Sequence, residues 1–475
     1  MKGVDILIFR DKELLDENML PTARLLESCI KEHKKDIPRL KKLKDYYDGK
    51  MDILNRKKSN DSCANNKIVC NHAAYISDMA VGYVFGKPIS YSGKNIEELV
   101  NHFIVEDEDS HNNELALDAS IFGRAFELVY MDTDINNKLM PYLAVLSPFN
   151  TFVVYNTDIK KEPLFAVNYR ELHDVDGNIS NYNIIVYTDS LIVNYTTKTL
   201  ESPLYNYAKE PELHDFGYIP IIEYKNNKNE TGDFEKVISL IDAYNLLQSD
   251  RINDKEQLVD ALLVITNQNL GDNEDEVSST ARMIKDNKIL PLDGDADAKY
   301  LIKQLDETQV EVLKDAIKSD IHEFSLVPDL TDTNFVGNAS GISLKYKLLG
   351  LEQLGNIKER FFKKGLRQRF AIIINIEAIR KNIINASDIN IIMERNLPID
   401  IDAKLNELVQ TDNILSLKTR LQQYNPELDI NYELKELEKE QKQKNKNMSD
   451  AFNPFISNED KTEDEDQEDK DQEDK

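Results

Sequence analysis

The sequence predicts an α+β protein, and three features of its 475 residues carry that prediction. In the first half, stretches such as "RAFELVYMD", "NTFVVYN" and "YNIIVYTD" gather β-branched and aromatic residues between turn clusters, which is how strands read. From Phe234 the apolar spacing changes, and Val237, Leu240, Ile241, Tyr244 and Leu247 fall along one face of a helix. A third stretch, from about Ser340 to Arg380, reads as one long helix. It follows the small-residue segment Gly337-Asn338-Ala339-Ser340-Gly341.

Taken in order, residues 20–48 read as a helix with a basic exposed side, stopped at Gly49 in "YYDGK". Residues 66–92, "NKIVCNHAAYISDMAVGYVFGKPISYS", continue as a helix and break at Gly86-Lys87-Pro88 into a short strand. Residues 111–122 look helical. The strands that follow are separated by "DTDINN" and "DVDGN", so the sheet should be largely antiparallel. This half ends near "DFGYIPIIEY" and a polar linker, "KNNKNETGD". Next come a helix from Phe234, then "ALLVITNQNL", an acidic turn region and "KILPLDGDADAKYLIKQL", which together predict a small β-containing insertion. "ETQVEVLKDAIKSDIHEFS" is a second helix, broken by Pro328. The long helix of roughly 40 residues would span about 60 Å, and Gly350, Gly355 and Gly365 permit a bend. After "INIIMERNLPID" two shorter helical patterns follow. From Glu459 the tail holds eleven acids against three lysines and nothing to bury, so it is expected to be disordered.

Composition narrows the function. The formal net charge is −27, which argues against general affinity for nucleic acid, because such binding rests on Lys and Arg displacing counterions from phosphates. Against that background, residues 340–381 hold ten basic residues and only Glu352, Glu359 and Glu377. Those cations are expected on a solvated face or against the acids of neighbouring subunits. Cys29, Cys63 and Cys70 are three in number and irregularly spaced, as expected of reduced thiols in a cytosolic setting. "MKGVDILIFRDKELLDE" is a poor signal peptide. "AIIINI" at 371–376 falls far short of the roughly 18 apolar residues of a membrane span. The expectation is a soluble protein made in a cytoplasm.

Motifs for chemistry are scarce. A P-loop needs G-x-x-x-x-G-K-[ST]. "GKPISYSGKN" spaces its glycines wrongly and ends in Asn95, and "GNASGISLK" has no lysine after its second glycine. "DVDGN" opens like a calcium loop, but position 185, where the twelfth ligand would fall, is Ile, so an Asp-Gly hairpin turn is the better account. His72 sits in a helical stretch, in the core or on the surface. HExxH and GxSxG are both missing. No cofactor and no catalytic residue is expected.

The remaining information lies in ordered, dispersed segments: "LKDYYDGKMDILNRKK", "NKIVCNHAAYISDMAVGYVFGKPISYS", "ASIFGRAFELVYMD", "SPFNTFVVYN", "FVGNASGISLKYKLLGLE" and "RNLPIDIDAKLNELVQTDNILSLKTRLQQYNPELDINYELKELEKE". Across about 20–445 the chain resembles the portal (head-to-tail connector) proteins of long-tailed bacteriophages. The resemblance implies a portal-like fold, with an α+β wing (1–233), stem helices (234–260 and 307–327), a small β-containing clip (261–306) and a tunnel loop (328–341). A long helix (342–385) would lead back to the wing, followed by a helical crown (386–446) and an acidic tail (447–475) with no family role.

It further implies a homo-oligomeric ring, usually a dodecamer, at one capsid vertex of the virion, assembled in the host cytoplasm. Double-stranded DNA would pass through it at packaging and ejection. Its partners would be the terminase large subunit, which supplies ATP hydrolysis, the major capsid and scaffolding proteins, and head-completion adaptors, with no membrane involved. Asp329, Thr331, Asp332, Asn334, Phe335, Val336, Gly337, Asn338, Ser340 and Gly341 would face the DNA. Pro328 through Leu344 contains no basic residue, which favours sliding over gripping. Lys345 and Lys347 are candidates for DNA or inter-subunit contact. Two alternatives stay open at this point: a capsid-associated adaptor without a closed ring, and a nucleic-acid-processing enzyme with an atypical site.

Overall fold

The computed structural model describes residues 7–57, 64–134, 137–200, 206–259, 262–267, 269, 272–287, 292, 294–301, 307–331, 346–376, 388–396, 410–411, 414–424 and 430–452. The chain divides into two compact units, 1–396 and 397–475.

In the first unit, β1 (Ile8–Arg10) precedes two helices, α1 (Ala23–Lys34) and α2 (Ile37–Tyr47). The single helix expected over 20–48 is thus interrupted at Lys35 and Asp36, because Pro38 lies in the first turn of α2, where a proline starts a helix rather than continuing one. Thr22 caps α1 by accepting from the Leu25 amide at 3.3 Å. A second correction falls at 66–71. These residues are not helical, and α3 (His72–Phe85) begins only after Asn71, whose side chain accepts from the Ala74 amide.

Then follow β2 (Ser90–Ser92), α4 (Glu97–Val105) and α5 (Glu108–Phe122). The strands β3 (Arg124–Thr133), β4 (Leu139–Leu146), β5 (Thr151–Asn156), β6 (Pro163–His173), β7 (Ile179–Tyr187), β8 (Leu191–Thr197), β9 (Asn206–Tyr207), β10 (Glu212–Leu213) and β11 (Ile221–Lys225) complete the β-rich half. Seven of them form one sheet in the order β1-β5-β6-β7-β8-β10, with β9 also on β8. It is antiparallel except where β1 runs parallel to β5. β11, β3 and β4 form a smaller antiparallel sheet. "DVDGN" is the β6–β7 turn, in which Asp174 accepts from the Asp176 and Asn178 amides and Gly177 takes φ +81°, a conformation that favours glycine.

One face of the large sheet packs Phe152, Val154, Phe165, Val167, Ile184 and Val186 against Leu25, Leu26, Cys29 and Ile30 of α1. The opposite face meets the small sheet through Phe126, Val153, Ala166, Tyr187 and Ile221. The period-2 alternation of strand side chains produces both layers at once.

The helical part begins with α6 (Ile238–Val259). The antiparallel pair β12 (Leu262–Thr266) and β13 (Asp297–Leu301) brackets α7 (Glu274–Asn287), and α8 (Glu307–Ser325) follows. α7 corrects the expected acidic turn region. Its signal is a reciprocal cap: Asn273 accepts from the Glu276 amide, and Glu276 accepts from the Asp272 amide and the Asn273 side chain. The long helix α9 (Leu349–Asn375) covers 27 residues, about 40 Å, and runs unbroken through its three glycines, but it is shorter than expected, because the backbone turns extended at Ile376, before Arg380. Gly365 serves contact rather than bending, since a Cβ there would meet the Tyr224 ring at 2.4 Å. β14 (Asn390–Ile392) returns to pair with β2. In the second unit α10 (Leu417–Tyr424) and α11 (Ile430–Phe452) are described.

α9 is fixed by two buried ionic clusters. Arg369 has no exposed surface and donates to Glu127 at 2.5 and 2.9 Å, to Asn112 at 2.8 Å and to Glu108. Tyr224 and His111 also reach Glu127, at 2.8 and 2.7 Å. Burial alone would raise the Glu127 carboxyl, but Arg369 and His111 outweigh it and hold it at about 2. About three turns earlier, buried Lys358 donates to Asp233 at 2.5 Å and to Asn226 at 2.6 Å. Asp233 also accepts from Ser120, and its amide donates to the Ser120 carbonyl. The expected polar linker 225–233 is therefore packed structure, with Asn226, Glu230 and Asp233 all buried.

Two tests follow from these contacts. Arg369→Met leaves two carboxylates buried without their cation and should cost roughly 3–5 kcal/mol, whereas Arg360→Met on the exposed side should stay within about 0.5 kcal/mol; denaturant unfolding distinguishes them. His33, buried between Phe152 and Tyr169, is pushed down to about 3, chiefly by burial and then by Arg124. Its neutral form is favoured in the folded state, so its stabilisation is complete above the ordinary value near 6.5 and is lost as pH falls toward about 3. A His33→Gln variant should lose less stability than the parent between pH 7 and pH 4.

Candidate functional site

Two elements meet where the chain leaves α8, and both can be built from sequence upward. The first is a strap. Residues 66–70 run extended along α6, and three buried α6 side chains take their amides: Asn253 accepts from Asn66 at 2.7 Å, Ser249 from Ile68 at 2.9 Å and Asn245 from Cys70 at 2.8 Å. The helical positions are four apart and the strap positions two apart. Four helical residues rise about 6.0 Å and two extended residues about 6.6 Å, so the two ladders match.

The second element is the root of the expected tunnel loop. Ile321 and Val327 are buried, and α8 ends at Ser325. Beyond it the backbone is held at four points. His322 Nδ1 contacts the Val327 carbonyl at 2.9 Å, the Tyr75 hydroxyl donates to the Pro328 carbonyl at 3.0 Å, and the Leu330 amide donates to the same hydroxyl at 3.1 Å. Lys318 Nζ pairs with Asp329 at 2.6 Å, and the other Asp329 oxygen accepts from both the amide and the hydroxyl of Thr331. A cavity of about 270 Å³ opens beside this root, lined by Cys70, His72, Tyr75, Lys318, His322 and Asp329 among others.

The charges here are settled. Burial would raise Asp329, yet Lys318 and Thr331 outweigh it and hold it at about 2. Lys318 is raised, first by its bond to Asp329. His72 is pushed down to about 4, by burial and then by His322 and Lys318. Near neutral pH Lys318 and Asp329 form an intact ion pair with the neutral His72 imidazole at its side, an arrangement that fixes backbone.

Of the residues expected to face DNA, Asp329 and Thr331 belong to this root. Asp332, Asn334, Phe335, Val336, Gly337, Asn338, Ser340 and Gly341 lie outside the described residues, as does Lys345. Lys347 is exposed just before α9. Sequence reasoning missed Tyr75, Lys318 and His322. Lys318 and His322 share a face of α8 at i, i+4 spacing, but their partners lie far along the chain or beyond the helix end, so no local motif announces them.

α6 and α8 leave large apolar side chains uncovered on the single chain. Leu246 and Ile252 on α6 and Val312, Leu313 and Phe324 on α8 are all exposed. No helix among the described residues is long and apolar enough to cross a membrane.

The profile of the phage portal protein family, SPP1 Gp6-like, matches residues 26–447. The portal protein of Clostridium phage phiCD119 is 23% identical over 355 residues, covering 70% of this chain and 77% of that relative. The portal protein of Bacillus phage SPP1 is 22% identical over 390 residues, covering 77% and 74%. Proteins of this family are in general structural rather than enzymatic, and a portal protein is a head-to-tail connector whose place is a capsid vertex of the virion. With a match that spans the strap, α6, α8, the loop root and α9, this chain belongs to the SPP1 Gp6-like phage portal protein family.

Proposed function

We propose that copies of this portal protein close into a ring, twelve in the expected form, and that double-stranded DNA passes through its tunnel during packaging and ejection. The observation that carries the reading is the uncovered apolar surface of the stem, Leu246, Ile252, Val312, Leu313 and Phe324. Exposed apolar surface of this kind marks association sites, and a ring supplies a neighbour to cover it in every copy.

In this reading residues 1–233 are the wing, 234–260 and 307–327 the stem, 261–306 the clip, 342–385 the helix returning to the wing and 386–446 the crown. Residues 328–341 face the duplex. Their lack of cations and the repeated −27 charge of each copy keep phosphates moving past the wall. Lys345 and Lys347, just beyond this segment in sequence, make the contacts to DNA or to a neighbouring copy. The terminase large subunit docks at the clip and performs the ATP hydrolysis, while capsid, scaffolding and head-completion proteins contact the outer parts of the ring.

Mass photometry and negative-stain images of the purified protein should give rings with a central hole. A single-chain mass under every condition, including in assembling particles, would overturn the reading. Replacing Asn338 or Ser340 with Val or Ile should lower DNA packaging with ring mass unchanged, and parental packaging yields would remove the loop from the mechanism. Tyr75→Phe removes the hydroxyl that bridges Pro328 and Leu330. Losing those hydrogen bonds should cost about 1–3 kcal/mol locally, read as amide exchange at Leu330 faster by roughly tenfold or more.

A further inference from the structure

The exposed side of α9 is divided lengthwise. Tyr346, just before the helix, and Leu349 and Ile357 within it are exposed apolar residues. Arg360, Lys364 and Arg367 continue the same line and are exposed as well. At 3.6 residues per turn all six fall within a face roughly 80° wide. The other cations of α9 have partners: Lys358 with Asp233, Lys363 with Glu359 and Arg369 with Glu127. Arg360, Lys364 and Arg367 have no ion pair among the described residues. A solvated face would explain three lysines scattered around a helix. It does not explain why the unpaired cations sit together on one line, at the end of an apolar strip, in a chain of charge −27.

We infer that this apolar-then-basic strip is the contact face for the second stem helix, α8, of the neighbouring copy. The inference rests on the ring reading above and says which surfaces close the ring. A strip of this kind cannot pair with itself. Parallel self-contact sets cations against cations, and antiparallel self-contact sets cations on Leu349 and Tyr346. The contact must therefore be heterologous, joining two different faces, which is the type that generates rings.

α8 offers the complementary set. Val312, an exposed apolar group, and the exposed acids Asp315 and Glu323 fall within one face of α8 roughly 80° wide, with exposed Leu313 and Phe324 along its flank. Glu323 has no ion pair among the described residues, and Asp315 has only its sequence neighbour Lys314, at 3.4 Å. The lengths agree too. α8 has 19 residues, about 28 Å, and Leu349 to Arg367 spans about 27 Å. Apolar groups supply the burial, and the charge pairs select the register and reject self-pairing.

The test is charge reversal on each face and then on both. The triple variant R360E/K364E/R367E changes only exposed side chains, so its circular dichroism and melting should match the parent. Its ring population by mass photometry at moderate salt should fall by roughly tenfold or more, since like charges across an interface cost several kcal/mol. Adding D315K/E323K to the same chain should restore rings, and the neutral variant R360Q/K364Q/R367Q should lie between. Parental ring levels in the triple variant would overturn the contact and leave the ring reading standing. Loss without restoration by D315K/E323K would overturn the assignment to α8. A parent chain that forms no rings would overturn both.

Discussion

The buried guanidinium of Arg369 is the constraint on which the first unit depends. It stands in the centre of contacts to Glu108 and Asn112 on α5 and Glu127 on β3, with Tyr224 of β11 sharing Glu127. A charge removed from water is costly unless every donor finds an acceptor. The helix can therefore dock on the small sheet in one rotation and one axial position, because a turn in either direction would strand the cation. Lys358, eleven residues earlier, repeats the logic against Asp233 and Asn226. Two fixed points on one rod determine its direction, and α9 carries that direction from the loop end of the molecule back to the sheets.

The same two clusters change the meaning of the charges on α9. A count of residues 340–381 suggests a cationic helix, yet its innermost cations are absorbed by partners within the chain. Within α9, what remains outside is a short line of three. Burial has sorted one apparent run of basic residues into two different jobs, framework and surface.

Much of the fold was legible in the sequence. Strand composition and Asp-Gly turn chemistry located the antiparallel sheet, and the change of apolar period at Phe234 located the start of the helical part. The long helix declared itself by its pattern. Three features were hidden for physical reasons. The strap at 66–70 ends in the apolar Ile68-Val69-Cys70 and adjoins a helix, so local periodicity extends the helix backward, and only the distant Asn245, Ser249 and Asn253 reveal otherwise. The loop "KNNKNETGD" reads as a polar linker because sequence cannot show that Lys358 and Ser120 will bury it. α7 was masked by its acidic start, although Asn273 and Glu276 stand at capping-box spacing. At the loop root, Asp329 and Thr331 were legible as positions but their partners were not, since Tyr75 lies some 250 residues away.

The strap on α6 has one further consequence. Its three gripped amides belong to alternate residues, so a slip of a single residue would turn all three away from Asn245, Ser249 and Asn253 together. No partial slippage is available: the joint either holds at full strength or releases completely. Because the strap runs straight into α3, whose Tyr75 holds the loop root, the register of the strap on α6 also sets where that tyrosine stands.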